Sequence, residues 1–186
     1  MRLVKQAQEF ISKYLSNGAI ALDLTCGNGK DTLFLAKKVG NNGLVYAIDI
    51  QQKALEETKK SLTHEGCMNQ TTIISTCHSE FPKHIHQKLK GRISAIMLNL
   101  GYLPHGIRER ITQPETTRAA ISHAYSWLSP KGGMSILAYR AHPGGQQENL
   151  AVKNLILENR WNCTTEYGNQ KKESPILYMI SKNQRD

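Results

Sequence analysis

The feature that most constrains the fold is the run Asp23-Leu24-Thr25-Cys26-Gly27-Asn28-Gly29-Lys30-Asp31. It stands between an apolar stretch, Ala19 to Leu22, and a helical pattern, Thr32 to Ala36. That order reads as strand, glycine turn, helix, the repeating unit of parallel α/β sheets. Gly27 and Gly29 let the backbone approach a ligand where a Cβ would block it. A second apolar run, Leu44 to Ile48, ends in Asp49, 20 residues after Gly29. An acid there can accept both hydroxyls of a ribose, so the two signals together point to a nucleoside-bearing cofactor.

The spacing narrows the choice of cofactor. A dinucleotide fingerprint needs a third glycine where this chain has Thr32. The pattern Asp-x-Gly-x-Gly-x-Gly, opened by the acid, is the S-adenosylmethionine version. This chain fits it at Asp23, Gly27 and Gly29, with Thr25 in place of the first glycine. The candidate cofactor residues, in and beside these two signals, are Asp23, Thr25 to Gly29, Asp31, Thr32, Asp49, Ile50 and Gln51, together with Asn99 further along the chain.

The rest of the chain continues the alternation. Leu3, Ala7, Phe10, Ile11, Tyr14 and Leu15 predict a helix over 2–16, stopped by Asn17-Gly18. Strands are predicted at about 19–24, 44–49, 71–75, 93–100 and 134–139, with helices at about 31–39, 54–66, 79–89, 114–128 and 145–159. The run 93–100 is almost continuously apolar, as a central parallel strand should be. Residues 161–167 and 176–180 read as strands with no helix between them, hence as an antiparallel hairpin. The expected fold is α/β, a doubly wound, Rossmann-like, mostly parallel seven-stranded sheet with a C-terminal antiparallel hairpin, forming one domain over 1–186.

Ligands of such sheets sit outside the carboxyl ends of the strands, which singles out three further segments. Cys77 and His78 end strand three, where they would face an adenine. Asn99-Leu100-Gly101-Tyr102-Leu103-Pro104 ends strand four. It resembles the Asn/Asp-Pro-Pro-Tyr motif of methyltransferases acting on amino nitrogens, in which the Asn accepts hydrogen bonds from the target amine and the tyrosine packs on the base. Tyr139 to Gly145 ends strand five; there Arg140 could bind phosphate and His142 could take a proton. Alternatively Arg140 is a structural pair and His142 a helix cap.

Lys and Arg number 24 against 15 Asp and Glu, a net charge of +9, which suits a polyanionic partner such as RNA or DNA. His105, Arg108, Arg110, Arg118, Lys171 and Lys172 would surround the mouth of the site. The four cysteines form no CxxC pair, so neither a metal knuckle nor a redox pair is expected. No apolar run is long enough to span a membrane, and the start lacks a signal-peptide core, so a cytoplasmic location is expected. A cysteine-linked mechanism, used for methylating pyrimidine C5 itself, is disfavoured, because no cysteine lies at the ends of strands four and five.

Taken together, Asp-x-Thr-x-Gly-Asn-Gly-x-Asp-Thr, Asn-Leu-Gly-Tyr-Leu-Pro and His-Pro-Gly-Gly resemble one family across nearly the whole chain. It is the small bacterial class I methyltransferases once labelled rRNA methylases and now associated with 5-aminomethyl-2-thiouridine at the tRNA wobble position. The resemblance implies S-adenosylmethionine at Thr25 to Gly29, Asp31, Asp49, Gln51, Cys77 and His78. It places the modified nucleoside at Asn99, Tyr102 and Arg140 to His142, with Leu103, Pro104, His105, Arg108 and Arg110 on the RNA side. The catalytic domain would grip the anticodon arm itself, and the family points to a homodimer. Cys77 stands where relatives are expected to carry serine; a backbone contact would survive that change. Two rivals remain: a methyltransferase for ribosomal RNA or a small molecule, and a noncatalytic RNA-binding protein with a decayed pocket. The intact Asp23, Gly27, Gly29 and Asp49 argue against decay.

Overall fold

A computed structural model describes residues 2–101, 112–169, 171 and 173–183. Among them seven strands form one sheet in the order β3-β2-β1-β4-β5-β7-β6. These are β1 (Ile20–Asp23), β2 (Leu44–Asp49), β3 (Thr71–Ser75), β4 (Ile93–Leu100), β5 (Leu128–Ala138), β6 (Asn162–Tyr167) and β7 (Ile176–Ser181). The helices are α1 (Arg2–Ser12), α2 (Lys30–Val39), α3 (Gln52–His64), α4 (Pro114–Trp127) and α5 (Gly145–Glu158). β1 to β5 pair in parallel, while β7 runs antiparallel to both β5 and β6. The predicted fold class and the hairpin are both present.

Alternation along the strands builds two cores. In β4, Ile96, Leu98 and Leu100 join a cluster with Ile121 and Trp127 of α4 and Val152 of α5, whereas Ala95 and Met97 join Ile11 of α1 and Leu35 of α2 on the opposite face. Helix α1 buries Leu3, Ala7 and Ile11, a spacing of four that lays one stripe on the sheet.

Three element boundaries differ from the sequence reading. α1 ends at Ser12 because the next amides bond three residues back (Lys13 to Phe10, Tyr14 to Ile11), which tightens the last turn. The helix expected at 79–89 is two 3-10 turns, His78–Lys83 and Gln87–Leu89, since Pro82 cannot donate to an α-helical ladder. β5 begins at Leu128 rather than at 134, directly after α4, and its register to β4 slips between Ile93 and Ala95. Lys131, at φ 66, bends the chain within that segment.

The strand order reverses between β1 and β4. In a doubly wound sheet that reversal opens a crevice at the carboxyl ends of the two strands.

Candidate active site

A cavity of about 840 Å³ lies at that crevice. It falls within the size range of small-molecule and cofactor pockets. Its floor is the turn after β1, from Leu24 to Asn28 together with Lys30 and Asp31. One side is Asp49, Ile50 and Gln51 after β2, with Cys77 and His78 after β3. The other is Asn99 and Leu100 of β4 with the following Gly101, Tyr139 after β5, and Thr112, Gln113 and Thr116 at the start of α4, and Val4 of α1 also lines the cavity.

The turn is shaped by groups behind it. Asp23 is fully buried; its carboxylate accepts the Thr25 amide (3.2 Å) and the Thr32 hydroxyl (2.6 Å). Burial, with the charge of Asp31 next, pushes the Asp23 carboxyl up to about 7, against the opposing hydrogen bonds. Gly29 sits at φ +75, and a Cβ there would lie 2.9 Å from the Thr58 backbone. Thr58 in turn donates to the Gly27 carbonyl at 3.0 Å. Asp23, Gly29 and Thr32 thus support the turn from behind and do not face the cavity.

Asp49 does face it. One carboxylate oxygen accepts the Gly27 amide (3.0 Å) and the other the Gln51 amide (2.9 Å). These bonds fix the carboxylate plane, and each oxygen keeps a second lone pair for a ribose hydroxyl. The Gln51 side chain is buried and lines the wall. His78 is also buried, and desolvation lowers its imidazole to about 4, so it is neutral at pH 7. A neutral ring can donate or accept one hydrogen bond at an adenine edge without adding charge. Burial pushes the Cys26 thiol well above its usual range.

At the other end, Asn99 is held twice. Its amide N–H donates to Thr25 Oγ1 and its Nδ2 donates to Asp31 Oδ2, both at 2.7 Å. The other Asp31 oxygen accepts Gln8 Nε2 of α1, again at 2.7 Å. Thr25, which stands where the cofactor pattern has a glycine, therefore ties the turn to the end of β4. Tyr139 is 40% exposed on the same wall; burial and then the Asp31 charge raise its phenol.

Gly101, at φ +140, ends β4. Its amide donates to Thr112 Oγ1 (2.9 Å), and Thr112 N–H returns a bond to the Gly101 carbonyl (3.2 Å). Thr112 Oγ1 also donates to Glu148 of α5 (2.8 Å), and the Thr117 hydroxyl donates to the other Glu148 oxygen. Glu148 is almost fully buried, which raises its carboxyl, while the two threonines and nearby His142 oppose that rise.

The cavity brings together Thr25, Cys26, Gly27, Asn28, Asp31, Asp49, Ile50, Gln51, Cys77, His78 and Asn99 from the sequence-based site. Arg140 and His142 stand off the wall. Arg140 Nε donates to the Ser174 carbonyl (2.7 Å), as a structural pair would. The His142 ring packs behind Gly101, where an added Cβ would meet it at 3.3 Å. Arg118 is paired with Glu158 on the surface. Tyr102, Leu103, Pro104, His105, Arg108, Arg110 and Lys172 lie outside the described residues. Sequence reasoning gave no role to Gln8, Thr58, Tyr139 or Glu148. Only Tyr139 carried a usable signal, an aromatic residue at the carboxyl end of a strand next to β4.

Comparisons with known proteins agree with this fold. The family described as "Putative rRNA methylase" is matched by residues 45–181. The chain is 32% identical to a chloroplastic tRNA (mnm(5)s(2)U34)-methyltransferase of Arabidopsis thaliana, over 91% of this chain and 65% of that protein. It thus spans just under two thirds of that relative. Among solved structures, a Clostridium thermocellum protein described as a "putative rRNA-methylase" superposes with a TM-score of 0.89 at 34% identity, covering 96% of each chain. A methyltransferase of Streptococcus mutans, solved in complex with SAH, superposes with a TM-score of 0.85 at 32% identity, covering 98% of each.

Proposed function

This chain belongs to the rRNA-methylase family of class I S-adenosylmethionine-dependent methyltransferases, and on that premise we propose that it N-methylates the 5-aminomethyl group of a uridine or 2-thiouridine at the tRNA wobble position. The observation that carries the reading is Asn99, an amide acceptor fixed at the sheet's switch point beside a cofactor cavity. The similarity to a tRNA methyltransferase acting on that nucleoside supports it.

The residues present fit the cofactor. Asp49 offers two carboxylate oxygens to a ribose, and Gln51 and His78 offer polar edges to an adenine. Asp31 and Asp49 give the cavity negative charge suited to a cationic ligand. Bound there, S-adenosylmethionine supplies a methyl group on a positively charged sulfur, transferable to a neutral amine nitrogen.

An alkyl amine has a pKa of ~10.4 in water and is mostly protonated at pH 7. Only the neutral amine has a lone pair. Burial in the crevice favours that form, because desolvation penalises the ammonium. Asn99 accepts one N–H and so turns the lone pair in a single direction. Tyr139, half-exposed at the mouth, offers a ring face to the base. His142 is not among the lining residues, and its ring packs against Gly101, which is.

The anticodon arm is the proposed RNA partner, drawn by a net charge of +9. The deciding experiment is transfer of labelled methyl to total tRNA from cells lacking this protein, followed by nucleoside mass spectrometry. One added methyl on 5-aminomethyl-2-thiouridine is the expected result. Measured cofactor binding with no labelled tRNA would refute the substrate and redirect attention to ribosomal RNA or a small amine.

A further inference from the structure

Asparagine oxygen and nitrogen look alike in outline, and their orientation must be inferred from their partners. Here the partner settles it. Asp31 Oδ2 lies 2.7 Å from Asn99 Nδ2, and an ionised carboxylate only accepts. The amide oxygen is therefore turned away from Asp31. Among the described residues no donor reaches that oxygen, although Asn99 lines the cavity.

Asp31 is itself fixed from the far side. Gln8 Nε2 donates to its other oxygen at 2.7 Å. Gln8 lies four residues after Val4, which also lines the cavity, so both occupy one stripe of α1. Three side chains from α1, α2 and β4 thus form one directional chain, Gln8 to Asp31 from one side and Asn99 to Asp31 from the other.

We propose that Asp31, steadied by Gln8, is a positioning residue that locks the Asn99 amide with its oxygen towards the cavity, and that this lock makes the site selective for a methyl acceptor bearing N–H. The proposal rests on the amine-methylation reading and deepens it. An acceptor nitrogen that still carries hydrogen meets a lone pair and is held. A carboxylate or phenolate oxygen meets the same lone pair and is repelled. The negative charge behind the amide also polarises it, strengthening the oxygen as an acceptor.

The test is a swap. Asp31→Asn places an amide opposite Asn99 and frees it to turn its NH2 towards the cavity. Asn99→Asp sets two carboxylates against each other. Each single change lowers kcat for the RNA by about 10- to 100-fold, the worth of one charge-assisted hydrogen bond. The double variant Asp31→Asn/Asn99→Asp restores one donor facing one carboxylate, with an oxygen still towards the cavity, and recovers to within about tenfold of wild type. Affinity for SAH, measured by calorimetry, falls by less than kcat in each single variant, and circular dichroism shows each variant folded. Equal loss in singles and double overturns the proposal. So does a loss of SAH affinity that matches the loss of kcat, which would make Asp31 a cofactor ligand instead.

A second readout needs no RNA. The Asn99 side-chain amide in the 1H–15N NMR spectrum shows one hydrogen protected from exchange in wild type and none in Asp31→Ala, which leaves no acceptor at that position. Unchanged protection overturns the lock. Failure of wild type to methylate tRNA would refute the proposed substrate while this spectrum still decided the lock.

Discussion

Replacing Asp23 with Asn isolates the cost of burying a carboxylate under the cofactor turn. The folded protein holds the Asp23 proton up to about pH 7, whereas the ordinary value is 3.8. Between those values the folded state binds more protons than the unfolded chain, so stability falls as pH rises and levels off above about 7. Each pH unit in that window is worth about 1.4 kcal/mol, and the whole span comes to about 4 kcal/mol. Asparagine is nearly isosteric with the protonated acid. Its oxygen can accept the Thr25 amide and its NH2 can donate to Thr32 Oγ1, replacing both bonds made by Asp23. It cannot ionise. Urea unfolding at pH 5, 6, 7 and 8 should therefore show the variant gaining on wild type by about 2 kcal/mol between pH 5 and 7, with only a few tenths more by pH 8. Subtracting the two curves removes titrations common to both proteins. A flat difference across the range would mean that Asp23 is ionised in the folded state at pH 5, and the burial argument would fall.

Three other outcomes follow from the same geometry. Gly29→Ala should lose about 2–4 kcal/mol in urea unfolding, from a left-handed backbone angle and a Cβ 2.9 Å from Thr58; a loss under 0.5 kcal/mol would show that the turn relaxes freely. Iodoacetamide should alkylate Cys77, at the cavity wall, and spare Cys26, whose thiol is buried and raised. SAH should protect Cys77, and peptide mapping that finds Cys26 labelled in the native protein would contradict the burial. Tyr139→Ala should raise KM for tRNA by about 5- to 100-fold, the worth of one stacked base, and leave SAH affinity unchanged; a fall in SAH affinity would place Tyr139 on the cofactor instead.

The fold was legible because its signals are local. Apolar runs such as Leu44 to Ile48, and the period of Leu3, Ala7 and Ile11, are set by neighbours in sequence. The missed features are those in which tertiary context overrides local pattern. Leu128 enters β5 straight from α4 because Ile93 is there to pair with it. The cofactor turn could be read from Gly27, Gly29 and Asp49, yet the reason for Thr25 could not, since its partner is the amide of Asn99, 74 residues away. Gln8 and Glu148 are polar residues in amphipathic helices, where pattern alone assigns them to solvent. Glu148 is buried and Gln8 partly buried only once α5 and α1 are packed into the fold. His142 shows the converse: a histidine near a strand end invites a chemical role, and the fold sets it behind Gly101 instead.

The bonds that join Gly101 to Thr112, and Thr112 to Glu148, have an evolutionary consequence. Gly101 and Thr112, the described residues on either side of 102–111, are held to each other by backbone and side-chain bonds, and Thr112 is held to α5. Doubling the length of an excursion between fixed ends costs only about 0.6 kcal/mol in closure entropy. Insertions, deletions and exchanges in that stretch can thus accumulate without disturbing the sheet, the cofactor turn or the Asn99 lock. In this architecture the length of chain between Gly101 and Thr112 can drift like a grafted part, while the cofactor turn and the sheet stay fixed.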